Sequence, residues 1–183
     1  MPRLFIGIEL PNAYRKALTP LIQGISRLTD CSVNWSKPDT WHLTLKFQGE
    51  TDEARIPAIR EALSAIDFSA FPMRAGGAGA FPNEHQPRVL WFGLAKGGAQ
   101  ATALAGAIED ALAAIDIPRE KKQFRPHLTL GRIRKPGPGD WTRVLDAARA
   151  HEWPPFTVAH FTLWQSVLSP TGATHTALAE FPL

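Results

Sequence analysis

Two copies of one tetrapeptide carry the side chains best suited to chemistry: His42-Leu43-Thr44-Leu45 and His127-Leu128-Thr129-Leu130. On a β-strand, residues two apart point the same way, about 6.6 Å apart, and the residue between them points to the other face. Each motif therefore offers an imidazole and a hydroxyl side by side, anchored from behind by two leucines. Two such pairs facing each other suit an in-line displacement at phosphorus. One histidine takes a proton from the attacking oxygen and the other gives one to the leaving oxygen, because imidazole can hold either state near neutral pH. Thr44 and Thr129 would donate to the non-bridging phosphate oxygens and stabilise the charge that builds there. The scheme requires no metal and no cofactor, and it leaves open which histidine is the acid.

A single His-x-Thr match means little, since composition alone leads one to expect about 0.4 of them. The chain holds a third, His160-Phe161-Thr162-Leu163, which has Ala75 rather than a histidine 85 residues earlier. What separates the first two is their shared offset: they lie 85 residues apart, and the same offset carries Arg88-Val89 onto Arg3-Leu4. Each approximate half, 1–85 and 86–183, reads strand, helix, HLTL strand, helix, strand, the pattern a duplicated α+β unit leaves. A pseudo-twofold axis would then bring equivalent strands to one cleft. His160 is expected to be a decoy or a neighbour on the cleft wall.

The elements that must position these motifs follow from periodicity and breakers. Arg3 to Leu10 reads as a buried strand ending at Pro11-Asn12, and Ala13 to Leu28 as a helix kinked or restarted at Pro20. A short strand over 32–35, a turn at Lys37-Pro38-Asp39 and a strand from His42 to Gln48 follow. Thr51-Asp52-Glu53 caps a second helix with Ile56, Ile59, Leu63 and Ile66 inward. Phe68 to Phe81 is a strand bent or bulged at its glycines, Asn83 to Pro87 a loop, Arg88 to Leu94 a strand and Ala101 to Ile115 a helix. After the charged connection 118–126 come the strand His127 to Arg132, a turn at Pro136-Gly137-Pro138-Gly139 and a short helix over 141–151. One long strand from Phe156 to Leu168, a turn at Pro170-Thr171-Gly172 and a strand from Thr174 to Phe181 complete the chain.

At 183 residues the chain can bury roughly 70% of its unfolded surface, enough for one domain or two small lobes. The single cysteine, Cys31, excludes an intrachain disulfide framework and a thiolate-rich metal site, and a cytoplasmic setting is expected. The longest early apolar run, Leu4 to Ile8, is too short for a signal core or a membrane span, and no membrane association is expected. A net charge of +3 suits an anionic substrate such as a phosphate ester or an RNA end without implying a surface that coats nucleic acid.

In this context the residues resemble the two-histidine phosphoesterases, specifically the LigT-like RNA 2′,3′-cyclic phosphodiesterases, also described as 2′-5′ RNA ligases. The similarity runs nearly end to end. It rests on Arg3-Leu4-Phe5-Ile6-Gly7-Ile8 with Leu10-Pro11, on Trp41 to Phe47, on Phe124 to Arg132, and on Ser166-Val167-Leu168 with Phe181-Pro182-Leu183. The resemblance implies one two-lobed α+β domain over 1–183, mainly antiparallel sheets backed by helices, with the motifs lining a central cleft. It implies His42 as proton donor to the leaving 3′ oxygen and His127 as acceptor from water, hydrolysing a terminal RNA 2′,3′-cyclic phosphate to a 2′-phosphate. A monomer is expected. The family also places a basic residue after the second motif, matching Arg132. Strict alternation turns Arg132 away from His127, so its contact with phosphate needs a bulge or a strand end there. Lys46 shares parity with His42 and Thr44, and Phe47, Trp35 and Phe124 are candidates to stack on a base. Where relatives often carry tyrosine near the last strand, this chain has His175.

Two other function classes compete. A metal-dependent hydrolase lacks a His-Glu-x-x-His pattern here and leaves the threonine pairing unexplained. A module that binds or joins RNA ends, tRNA included, would use the same cleft, and ligation is the reverse reaction on the same residues.

Overall fold

The structure, a computed structural model, describes residues 1–135, 140–170 and 172–183. In chain order the elements are β1 (Arg3–Glu9), α1 (Asn12–Ser26), β2 (Ser32–Trp35), β3 (His42–Glu50), α2 (Ile56–Ser64), β4 (Phe71–Phe81), β5 (Val89–Lys96), α3 (Gly98–Ala113), β6 (Leu128–Lys135), α4 (Trp141–Arg149), β7 (Phe156–Val158), β8 (His160–Ser169) and β9 (Gly172–Pro182). They build a four-stranded sheet in the order β3-β1-β8-β9 and a five-stranded sheet in the order β2-β6-β5-β4-β7. Every strand pairing is antiparallel. The expected α+β class, with two antiparallel sheets backed by helices, is what the chain adopts.

β1 reads as a continuous apolar run because it is central in its sheet and covered on both sides. Leu4, Ile6 and Ile8 are buried among the other core aliphatics, while Phe5 is buried in a cluster of rings on the opposite face. Helices α2 and α3 pack on the first sheet, against β9 and β3, and α4 packs on β4 of the second with α1 beside it. Asp52 accepts from the Ala54 N–H, so the expected acidic cap is present, but it opens a 3-10 turn over Glu53–Arg55 before α2 begins.

The duplication is visible in the sheets, with an exchange that the sequence pattern does not reveal. β3-β1-β8 in one sheet corresponds strand for strand to β6-β5-β4 in the other, and α2 lies 85 residues before α4 at both ends. One strand after the second helix of each half has crossed over: β4 joins the sheet of β5 and β6, and β8 joins that of β1 and β3. Each sheet thus draws on both sequence halves.

That exchange also explains a correction. The single strand expected from Phe156 to Leu168 is two, β7 and β8, which belong to different sheets. β7 pairs with Phe71 to Met73 of β4, whereas β8 pairs with β1 and β9. The chain changes sheets at Ala159, whose carbonyl accepts from the Leu183 N–H at 2.8 Å. Apolar alternation reports which face a residue takes, not which strand lies beside it, so both pieces read as one. Of the two expectations for α1, a kink or a restart at Pro20, the restart does not occur: one helix runs from Asn12 to Ser26 with Pro20 inside it. The predicted turn at Pro136-Gly137-Pro138-Gly139, and Thr171 of the turn after β8, lie outside the described residues.

Tyr14 of α1 fastens these crossovers. Its buried hydroxyl donates to the Pro154 carbonyl at 2.9 Å and accepts from the Ala75 N–H of β4 at 3.0 Å. Tyr14→Phe keeps the ring packing and leaves both backbone groups without that partner. The expected result is a loss of about 1–3 kcal/mol in a denaturant titration; an unchanged midpoint would show that the hydroxyl contributes nothing.

Candidate active site

β3 and β6, which carry the two motifs, are where the sheets touch. Trp41, directly before His42, sends its indole N–H to the Thr129 carbonyl at 2.8 Å, and the Ser36 hydroxyl donates to the same oxygen at 2.6 Å. The chain leading into the first motif is therefore hydrogen-bonded to the backbone of the second.

The two imidazoles are held alike. His42 Nδ1 lies 2.6 Å from the Thr40 carbonyl, and His127 Nδ1 lies 2.6 Å from the Arg125 carbonyl, the same two-residue step back in each motif. A carbonyl only accepts, so each Nδ1 carries the proton and each Nε2 is the nitrogen left for chemistry. The leucines of both motifs are buried behind them, as the alternation predicts, although His127 itself stands one residue before β6 rather than within it.

Their surroundings differ. His42 stacks on Phe5 with centroids 4.5 Å apart and meets the edge of His175 at 5.1 Å. Gly7 makes room for this packing: a Cβ there would lie 2.8 Å from the Leu43 carbonyl oxygen and 3.5 Å from His42 Cδ2. Burial pushes the His42 imidazole down to about 4, against the hydrogen bond to Thr40, which favours the charged ring, and with the help of His175. Among the described residues His127 has one ring neighbour, Phe81, edge-on at 5.2 Å.

A bulge before Arg132 is present, and the same feature occurs in both motif strands. Gly7 is opposite Thr44 and Ile6 opposite Lys46, so Leu45 is an extra residue in β3. Trp91 is opposite Thr129 and Leu90 opposite Gly131, so Leu130 is the extra residue in β6. Each bulge reverses the alternation beyond it. Arg132 consequently shares a face with Thr129, and Phe47, its counterpart 85 residues earlier, shares one with Thr44. Arg132 is exposed, and Phe47 keeps 51% of its surface accessible.

The same bulge overturns the placement of Lys46 on the histidine face. Its side chain turns inward, is 3% exposed, and gives its ammonium to both oxygens of Glu109, at 2.9 and 2.8 Å, and to the Pro118 carbonyl at 3.1 Å. All three N–H groups are used, so Lys46 fastens α3 and the following loop to β3. Trp35 and Phe124 pack against the core as partly buried residues. Among the described residues no group of three or more His, Cys, Asp or Glu side chains gathers in a way that could hold a metal ion.

The third motif is split by burial. Thr162 sits opposite Gly7, whose other neighbour is Thr44, but it is fully buried and its hydroxyl has no hydrogen-bond partner among the described residues. Alternation along the sequence does not reveal the ring cluster around His42. Phe5, Trp164 and His175 come from β1, β8 and β9, and only the sheet order brings them together.

The LigT-like phosphoesterase pattern matches residues 8–91 and 93–174. The chain belongs to this LigT-like family. A LigT-like relative from Archaeoglobus fulgidus named RNA 2′,3′-cyclic phosphodiesterase is 33% identical over 182 residues, covering 98% of this chain and 99% of its own. Another of that name, from Thermus thermophilus, is 35% identical over 191 residues, covering 99% of this chain and 90% of its own. A crystal structure of a Thermus thermophilus protein superposes with a TM-score of 0.75 at 30% identity, over 99% of this chain and 97% of that one.

The depressed His42 has a consequence for stability. Folded, the ring stays neutral down to about 4, whereas an unfolded histidine takes up its proton near 6.5. Stability contributed by the neutral ring is therefore complete above pH 6.5 and is lost as pH falls from there toward 4. His151 and His175, also lowered by burial, act in the same direction. Denaturant midpoints measured across this window should fall with acidification, less steeply in His42→Gln. Equal slopes in the two proteins would contradict the burial assigned to this ring.

Proposed function

We propose that this chain, acting over 1–183 as one two-lobed domain, hydrolyses a terminal RNA 2′,3′-cyclic phosphate to a 2′-phosphomonoester. The observation that carries the reading is the matched anchoring of His42 and His127. Both present Nε2, from strands tied together at the Thr129 carbonyl. The names carried by the relatives support the same substrate class.

In this reading His127 Nε2 takes a proton from water as the water oxygen attacks phosphorus. The bond from phosphorus to O3′ breaks, and protonated His42 gives its Nε2 proton to O3′, leaving a free 3′-hydroxyl and a 2′-phosphate. The histidines then exchange protons with solvent and are reset. Thr44 and Thr129 donate to the non-bridging oxygens, Arg132 supplies positive charge beside them, and Phe47 offers a face to a base. Lys46, committed to Glu109 and Pro118, acts by holding β3 in place.

His42 is neutral at pH 7 in the free protein, since its pKa lies at about 4, so a donor role requires that substrate charge it. One phosphate charge about 4 Å away contributes about 4 kcal/mol at the effective dielectric of a protein surface. That is roughly a thousandfold in proton affinity, enough to protonate the ring near neutrality. The phosphate thereby arms its own acid. All the groups named come from one chain, as a monomeric enzyme would have it, and the single cysteine suits a cytoplasmic setting.

Turnover of a nucleoside 2′,3′-cyclic phosphate, measured with EDTA present, tests the scheme. His42→Ala and His127→Ala should each lower the rate by about 10²–10⁴ with unchanged circular dichroism, and His160→Ala should be nearly silent. Product analysis should show the 2′-phosphate. Substantial activity in either of the first two variants, or a 3′-phosphate product, would contradict the assignment.

A further inference from the structure

A groove of about 460 Å³ runs beside β3 and is lined by Lys46, Phe47, Gln48 and the loop from Ile117 to Lys122. We infer that this groove binds the single-stranded RNA that precedes the terminal nucleotide, stacking a base on Phe47 and meeting phosphates with Lys121 and Lys122. The inference rests on the reading above that an RNA end is the substrate.

The groove is built rather than incidental. Its floor is the buried Lys46, and the Glu109 carboxylate that pairs with Lys46 also accepts from the Glu120 N–H at 3.3 Å. The loop is thereby fixed to α3 and β3 at two points, Pro118 and Glu120. Phe47, half-exposed despite its size, stacks at 6.1 Å on Phe5, which itself stacks on His42. One ring therefore separates the groove from the catalytic histidine, and an RNA whose 3′ end lies at His42 can leave the site along this wall.

Its chemistry suits a nucleic-acid strand read without sequence preference. An open aromatic face accepts any base, and cations beside it follow the backbone. Arg119 is held by Asp110 at 2.6 Å and Glu120 opposes the field. Lys121 and Lys122 are exposed and make no ion pair among the described residues. Gln48 lies at the second register shift of β3 and lines the groove beside Phe47.

The test compares kcat/KM, with EDTA present, for a mononucleoside 2′,3′-cyclic phosphate and for a hexanucleotide ending in the same group. Wild type should favour the hexanucleotide. The Lys121→Gln/Lys122→Gln double variant should lower the ratio of hexanucleotide to mononucleotide and reduce the salt slope of hexanucleotide binding by about 1.4. A ratio near one in wild type, or a ratio unaltered in the double variant, would overturn the inference. If wild type turns over neither substrate, the proposed function fails. Fluorescence anisotropy of the labelled hexanucleotide then decides the groove by itself: weaker binding in the double variant supports it, and equal binding refutes it.

Discussion

The arrangement of this protein depends on one backbone oxygen. The Thr129 carbonyl, inside the second motif, accepts from the Trp41 indole and the Ser36 hydroxyl, both on the chain leading into the first. A carbonyl has two lone pairs, so it can hold both donors at full strength. Trp41 is 3% exposed and packs among Tyr14, Phe92 and Trp153. Its reach is therefore set by a close-packed core and not by a mobile side chain. The separation of the two histidines is in this way a property of backbone and core, which is what in-line chemistry between two rigid groups needs.

Duplication supplies the matching parts and local packing makes them unequal. The carbonyl anchors on Nδ1 and the bulges after the threonines are the same in both motif strands. At the position just past each bulge, one lobe presents Phe47 and the other Arg132, an aromatic face opposed to a guanidinium. His42 lies against Phe5 and His175, while His127 meets the edge of Phe81. Two identical tetrapeptides thus hold their imidazoles in different surroundings, and burial lowers the proton affinity of His42.

Much of this was legible in the residues. The 85-residue offset identified the strands that matter, and the alternation within His-Leu-Thr-Leu predicted which side chains are buried. Of the two features that could turn Arg132 toward the histidine face, a bulge or a strand end, β6 has the bulge. Lys46 was misplaced because a bulge depends on the register of the partner strand, which neighbouring sequence does not encode. The split of Phe156 to Leu168 and the cluster of Phe5, Trp164 and His175 were hidden for a related reason. Both depend on strand order, and strand order follows from the exchange of β4 and β8 between the halves.

In the proposed mechanism His42 and His127 serve one phosphate. Spectra of the six imidazoles, recorded while a nucleoside 2′-monophosphate is added in the presence of EDTA, test it most directly. The His42 and His127 ring signals should shift together along one binding curve, His42 should gain a proton, and His85, His151 and His160 should stay in place. A response from only one of the two, or two curves with separate midpoints, would contradict it.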